Sequence, residues 1–384
     1  MSMNIFFNTT TAETCSKAEY FLNLTTPRDA EDILYGPTDR FLMTVLIPII
    51  SLIGVIGNGA FLYMSFVVPE LRISVTTSYL ANLAVCDLLF LLSVNVWFVI
   101  IFLNTQVNIE FLLYSSIECA ISTVSVNWWY YTSLGLITLI TVERYFAVCH
   151  PIKHMNMKSQ PGRVSKLLAA IWILALLVTF TQVPQSWKFI TYCVVWPDMK
   201  KFETFPNTIR DCEPLSVVYD IYGSVLVVVT MLVTLLINTV LFIRIIHELR
   251  KTRNLGKTSS VDKVRNQVTR TLILNGIIFF ICQLPYRVWI LDDVLDLTGQ
   301  IDLIGFELES PVLTIGRAFL ILNSIINPFL YVFTCRHYRQ AVLKAFCGNR
   351  CLGPEAITDD ITVSRGFVRK ARWTTSNSTN STAL

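Results

Sequence analysis

Seven long apolar segments limit what this chain can fold into. Each holds roughly 20 or more mostly apolar residues, the length that a helix needs to cross the hydrocarbon core of a bilayer. Backbone N–H groups inside lipid must be paired within their own segment, so each segment is predicted to be a helix. The period-two alternation of a membrane β-barrel is absent. The sequence therefore predicts an all-α membrane protein, a bundle of seven transmembrane helices. The segments cover about residues 41–66, 76–102, 115–148, 165–187, 216–247, 266–291 and 311–334.

The charge content agrees with a membrane protein and disfavours a soluble one. Charged residues make up 15% of the chain and hydrophobic residues 53%, whereas soluble domains carry roughly 25% charged residues. The chain contains 4 histidines, and none has the spacing of a metalloprotease helix. No convergent catalytic set is present, so an enzyme is not expected.

The distribution of Lys and Arg between the segments predicts the orientation of the bundle. The loop between the fifth and sixth segments is rich in basic residues, and the loop between the sixth and seventh has neither Lys nor Arg. Because basic loops stay in the cytoplasm, the N-terminus is predicted to be extracellular and the C-terminus cytoplasmic. The predicted divisions are an exterior N-terminus at 1–40, a seven-helix domain at 41–334, an amphipathic segment at 335–351 and a disordered tail at 352–384.

Three features outside the bundle predict modifications or lipid contact. The segment after the seventh helix reads CRHYRQAVLKAFCGNRC, and its apolar residues favour a short amphipathic helix on the cytoplasmic leaflet. Cys347 and Cys351 follow it and are either palmitoylation sites or plain thiols. Asn8 and Asn23 begin short sequons in the exterior N-terminus and are candidate glycosylation sites.

Polar and proline residues inside the segments form a recognisable series. They are Gly57-Asn58 in the first, NLAVCD ending at Asp87 in the second, Glu143-Arg144-Tyr145 in the third, Trp172 in the fourth, CQLP ending at Pro285 in the sixth, and Asn327-Pro328 followed by Tyr331 in the seventh. Small and polar residues also occur simply as contacts between helices. In this order over about 300 residues, however, the series resembles the rhodopsin-like (class A) G-protein-coupled receptors.

The resemblance implies a sodium site in the middle of the bundle. It places Asp87, Ser133, Asn323 and Asn327 around one allosteric sodium ion, and no other cofactor is expected. A carboxylate inside a bilayer requires a counter-ion, and oxygen ligands suit a small hard cation.

The resemblance also implies a two-state cytoplasmic end. Arg144 would pair with Glu143 at rest, be freed on activation and meet a heterotrimeric G protein, while Tyr331 moves inward. Pro285 and Pro328 would provide kinks in the sixth and seventh helices. Ser and Thr residues of the tail are candidate phosphorylation sites for arrestin.

Cysteines at the exterior end predict a disulfide. Similar receptors join the cysteine at the outer end of the third helix, here Cys119, to one in the second exterior loop. Cys212 is the preferred partner because CEPLS leads directly into the fifth helix, as in many peptide receptors. Cys193 remains an alternative, and it would otherwise pair with Cys15 or stay free.

The chain departs from the family at three places. Gln283 stands where most relatives have tryptophan, and the fifth helix has no proline and carries Asn238 where tyrosine is usual. Arg265 occupies the start of the sixth helix, where an acidic partner of Arg144 sometimes lies. These changes predict an altered activation path and unusual basal activity.

The exterior half favours a peptide ligand. Val126 stands where amine receptors have aspartate, and the seventh helix lacks the retinal-binding lysine of opsins. Acidic residues including Asp292 and Asp293 are predicted to form an exterior rim that attracts cations, or else a solvated loop. The candidate ligand contacts are Asn127, Gln182, Gln283, Arg287, Asp292, Asp293 and Arg317.

Within the family, ERYFAVCHPIKH and the arginine of the outer seventh helix resemble the neuropeptide branch, near the thyrotropin-releasing-hormone, neuromedin U and ghrelin-type receptors. The resemblance implies a short peptide ligand, basic or amidated, and no nucleic acid. The alternatives are a receptor for a non-peptide ligand, a poorly coupled receptor, and a transporter or channel. A transporter is disfavoured because the two halves show no internal repeat.

Overall fold

The computed structural model describes residues 18–347 apart from 108–109, 111–112, 159, 255–259 and 300–305. Within these residues seven helices are long and apolar enough to cross a membrane. They confirm the predicted all-α bundle. The helices are α1 Pro37–Val67, α2 Val75–Asn104, α3 Ser116–Cys149, α4 Arg163–Phe180, α5 Val217–Asn254, α6 Ser260–Leu297 and α7 Phe306–Thr334.

The two longest helices extend well beyond the predicted apolar segments. Helices α5 and α6 have 38 residues each, or about 57 Å at 1.5 Å per residue, whereas the hydrocarbon core is about 30 Å thick. Because α6 continues to Leu297, Asp292 and Asp293 lie on this helix. The sequence predicts them in an exterior rim or loop. Asp292 is only 6% exposed. The prediction that it belongs to an exposed rim is therefore wrong.

The bundle is built around α3, which packs against α2, α4, α5 and α6, while α7 packs against α1, α2 and α6. Fully buried side chains such as Tyr79, Leu136 and Phe279 fill the centre. Gly316 allows the closest approach between α6 and α7, because a Cβ at this position would lie 2.9 Å from the Cα of Tyr286. Backbone atoms leave no room for any side chain there.

A small sheet covers the exterior end. The second exterior loop forms a hairpin in which β2 (Lys188–Val195) pairs antiparallel with β3 (Thr208–Glu213). The alternating residues of TYCVVWPDMKKFETFPNTIRDC predict such a hairpin. The N-terminal segment adds β1 (Tyr20–Asn23), which pairs parallel with β2 and was not predicted. These elements share an apolar cluster, whose buried members are Leu24, Ala30, Val107, Val194, Phe202 and Ile209.

A short helix, α8 (Arg336–Cys347), follows the seventh membrane helix. Its buried Tyr338 packs against Phe61 and Tyr331, with ring centroids 5.9 and 5.8 Å apart. Lys344 pairs with Glu70 at 2.8 Å, which joins α8 to the turn between α1 and α2. Cys347 is a free, exposed cysteine at the end of α8. Cys351 and the tail at 352–384 lie outside the described residues.

Candidate functional site

Two of the four predicted sodium residues, Asp87 on α2 and Asn327 on α7, are in direct contact. Asp87 is 1% exposed, and the side-chain amide of Asn327 donates a 2.7 Å hydrogen bond to its carboxylate. The amide oxygen of Asn323 is buried and has no hydrogen-bond partner within the described residues. Ser133 lies 3.3 Å from the thiol of Cys86. A buried carboxylate and an unpartnered amide oxygen are acceptors of the kind that suit a small hard cation.

Arg144 lies at the cytoplasmic end of α3, where it was predicted to pair with Glu143. Within the described residues no ion pair joins them. Arg144 instead donates a 2.5 Å hydrogen bond to the hydroxyl of Thr76 on α2. Adjacent helical residues point about 100° apart around the helix axis, so neighbouring side chains do not face each other. The predicted local pair is therefore replaced by a contact between helices.

Glu143 faces the second cytoplasmic loop and α4. Its two carboxylate oxygens accept a 2.8 Å hydrogen bond from His154 and a 3.0 Å ion pair from Arg163, and the residue is 1% exposed. The sequence reasoning missed both partners. Both partners lie in or next to the basic loop that follows the ERY motif, and this position is the sequence signal that could have indicated them. Tyr145, the third residue of that motif, contacts His150 at 3.1 Å.

One further polar contact links the cytoplasmic halves of α3 and α5. Asn238, which replaces the usual tyrosine of α5, donates a 3.0 Å hydrogen bond to Thr138 on α3. Tyr331 is 2% exposed and packs against Phe61, and its hydroxyl has no partner within the described residues. Pro285 and Pro328 lie inside the continuous helices α6 and α7. The family motifs thus occupy interhelical positions.

The exterior half of the bundle contains a buried arginine. Arg287 on α6 is 7% exposed and donates a 3.0 Å hydrogen bond to Gln283, one turn earlier. Its guanidinium carbon lies 4.1 Å from the ring centroid of Tyr130 on α3. At the position where most members of the family have tryptophan, Gln283 therefore accepts a hydrogen bond from a cationic side chain. The sequence analysis missed Tyr130 as a partner of Arg287. Its position in the outer half of α3 is the sequence signal that could have indicated this contact.

The remaining predicted ligand contacts have different surroundings. Gln182 is fully buried and its amide donates a 2.9 Å hydrogen bond to the carbonyl of Gly223, so it joins the end of α4 to α5. Asn127 is half-buried on α3. Burial raises the pKa of the Tyr35 phenol in the N-terminal segment, and the charge of Arg317 opposes this shift.

Disulfides hold the exterior sheet to the bundle. Cys119 and Cys212 are joined, as predicted, which fixes β3 to the outer end of α3. Cys193 is also disulfide-bonded, and its predicted alternative partner, Cys15, lies outside the described residues. Asn23 is exposed at the end of β1, and Asn8 lies outside the described residues.

Comparison with known proteins agrees with this architecture. Residues 57–331 match the family described as the 7 transmembrane receptor (rhodopsin family). Somatostatin receptor type 5 of Bos taurus is 25% identical over 336 residues, 84% of this chain and 80% of that receptor. The Mus musculus receptor of the same name is 25% identical, over 82% and 80% of the two chains. G-protein coupled receptor 183-A of Danio rerio is 26% identical, over 79% of each.

The chain belongs to the rhodopsin family of seven-transmembrane receptors, because the family match covers most of its length. It is a multi-pass G-protein-coupled receptor of the plasma membrane, not an enzyme. The G protein is accordingly a partner. The finer resemblance to thyrotropin-releasing-hormone, neuromedin U and ghrelin-type receptors stays a prediction.

Proposed function

We propose that this protein is a cell-surface receptor for a short peptide, with its N-terminus outside the cell and its C-terminus in the cytoplasm. The likeness to receptors for somatostatin, a peptide, supports the ligand class. The basic loop between α5 and α6 supports the orientation. Acidic residues of the exterior, such as Asp293 and Asp296 on α6, favour a ligand with basic residues.

The folded exterior is the single observation that carries the proposal. An N-terminal strand, a hairpin and a shared apolar cluster form an ordered layer over the bundle, tied to α3 by Cys119–Cys212. A layer with its own buried core presents a wide, preorganised surface, which suits a ligand several residues long. The candidate contacts are Asn127, Gln283, Arg287, Asp292, Asp293 and Arg317. Gln182 is excluded from this set because its side-chain amide joins the end of α4 to α5.

Sodium and arrestin complete the proposal. Asp87, Asn323 and Asn327, with Ser133 nearby, would hold a sodium ion that favours the resting state. The carboxylate and the unpartnered amide oxygen support this assignment. Phosphorylated Ser and Thr residues of the tail would recruit arrestin. Palmitate on Cys347 or Cys351 would place α8 against membrane lipid, and glycans on Asn8 or Asn23 would mark the exterior.

The test is a second-messenger screen of cells that express the full chain against short peptides in amidated and free-acid form. Surface amount is measured in parallel, and Arg144→Ala serves as the uncoupled variant. We expect a peptide that raises second messenger in the wild-type receptor and not in the variant. Silence from a receptor present at the surface would contradict a peptide-activated function.

A second candidate is a receptor that binds ligand but couples poorly. The pairing of Gln283 with Arg287, where relatives have a tryptophan, favours it because the family's aromatic contact is missing. Peptide binding without any second-messenger response would identify this function.

A further inference from the structure

Arg287 on α6 is a buried, positively charged side chain without a counter-ion among the described residues. The residue is 7% exposed, yet within the described residues no carboxylate pairs with it. Its Nε atom is buried and has no hydrogen-bond acceptor there. The nearest acidic residue along α6, Asp292, leaves the helix about 140° away around its axis. The local sequence therefore offers Arg287 no counter-ion.

The contacts that Arg287 does make compensate only part of its burial. Its Nη2 donates to a neutral amide oxygen of Gln283, and its cation faces the rings of Tyr130 at 4.1 Å and Tyr286 at 5.3 Å. Cation–π contacts and neutral hydrogen bonds are weaker than a charge-assisted pair. A buried cation without a counter-ion destabilises the fold, and an anion that binds to it removes part of this cost.

We propose that Arg287 receives a carboxylate of the ligand in the exterior half of the bundle. The inference rests on the proposed function, in which the ligand enters from the exterior, and it specifies the ligand's chemistry. A carboxylate fits because the guanidinium offers paired N–H donors in a planar fork, whereas a backbone carbonyl would leave the charge uncompensated. The ligand therefore carries at least one free carboxylate, at its C-terminus or on a side chain.

Gln283 acts as a positioning residue for this contact. Its amide oxygen, one helical turn before Arg287, accepts a hydrogen bond from one guanidinium nitrogen. The ring of Tyr130 on α3 makes a cation–π contact with the guanidinium group. The two contacts fix the orientation of the remaining N–H donors before a ligand binds. Such preorganisation lowers the entropy lost on binding.

The experiment measures thermal unfolding of the purified full-length receptor with three small probes at millimolar concentration. N-acetyl-leucine has a terminal carboxylate, N-acetyl-leucinamide has none, and the α-amide of N-acetyl-glutamic acid has only a side-chain carboxylate. We expect the carboxylates to raise the unfolding temperature by about 2 °C or more, and the neutral amide to leave it unchanged. The acid that stabilises more identifies a terminal or a side-chain carboxylate as the source.

Three variants complete the test. Arg287→Gln should abolish the carboxylate shift, Arg287→Lys should retain part of it, and Arg270→Gln, an exposed arginine elsewhere on α6, should retain all of it. Arg287→Gln should also unfold at a higher temperature than the wild type without any probe, because it removes the unpaired cation. No carboxylate shift in the wild type, an equal shift with the amide, or a shift that survives Arg287→Gln would overturn the proposal.

This measurement uses neither a G protein nor a peptide agonist. A silent second-messenger screen alongside a carboxylate shift that depends on Arg287 would contradict the proposed coupling only. An active screen whose peptides work equally when every carboxylate, terminal and side-chain, is replaced by an amide would contradict the carboxylate contact only.

Discussion

Arg144 on α3 donates a hydrogen bond of 2.5 Å to Thr76 on α2. This contact holds the residue to which the family resemblance assigns the G-protein contact. Because a hydrogen bond to a charged group contributes roughly 1.5–3 kcal/mol, its loss should shift the balance between resting and active states. We expect Thr76→Val to raise basal second-messenger output severalfold, measured per receptor at the surface.

Thr76→Ser is the matched control, because it keeps the hydroxyl and removes only a methyl group. Its basal output should equal that of the wild type. Equal basal output from the valine and wild-type receptors would show that this contact does not restrain activation.

The ion pair between Glu143 and Arg163 should behave as a coupled unit. Glu143→Gln and Arg163→Gln should each lower the unfolding temperature, because one leaves the half-buried Arg163 and the other the buried Glu143 with a lost partner. The double variant should lose less than the sum of the two, with a coupling of about 1 kcal/mol. Strict additivity in thermal unfolding would show that the pair contributes no interaction energy.

The disulfide between Cys119 and Cys212 should be required for a folded exterior. Cys119→Ser and Cys212→Ser should each reduce surface receptor strongly, since the bond closes a loop across 93 positions and removing it costs roughly 2–5 kcal/mol. Cys149→Ser, at a free cysteine, is the control and should reach the surface normally. Surface staining of intact cells distinguishes the outcomes.

Asp211 on β3 should make the exterior sheet sensitive to pH. Burial raises the pKa of its carboxyl to about 6, above its ordinary value of 3.8. The neutral form is therefore favoured in the folded state, and its stabilisation is complete below about pH 4 and lost as the pH rises through about 6. Asp211→Asn should flatten the change in unfolding temperature between these values. An unchanged pH profile would contradict this role.

Gly316 should not tolerate a methyl group. Gly316→Ala would place Cβ against the backbone of Tyr286, so α6 and α7 must separate or the receptor loses stability. We expect a clear fall in unfolding temperature and in surface amount. Gly59→Ala is the control, because its Cβ meets open space and alanine is the better helix former by about 1 kcal/mol.

Features set by long runs of similar residues were predictable from the sequence. The seven helices follow from apolar length, and the hairpin of β2 and β3 from local alternation. The Cys119–Cys212 bond followed from a family resemblance. The strand β1 was missed because Tyr20–Asn23 has four residues and its partner lies about 170 positions further along the chain. No local pattern records such a pairing.

Side-chain partners at the site were less predictable than the positions of the motifs. Glu143 and Arg144 are adjacent in sequence, yet one faces α4 and the other α2. Which helix each meets depends on packing, not on spacing. Asp292 was misplaced for a related reason: apolar length alone does not show where a helix ends once it leaves the membrane.

The position of Pro285 within α6 has a mechanical consequence. About 25 residues of helix lie between it and the cytoplasmic end at Ser260, a distance of about 37 Å along the axis. A bend of only about 10° at a proline hinge would move that end sideways by about 6 Å. A bend at this hinge would therefore link Arg287, just beyond Pro285, to the cytoplasmic end of the helix. A displacement of a few tenths of an ångström near Arg287 would become one that a partner protein can detect.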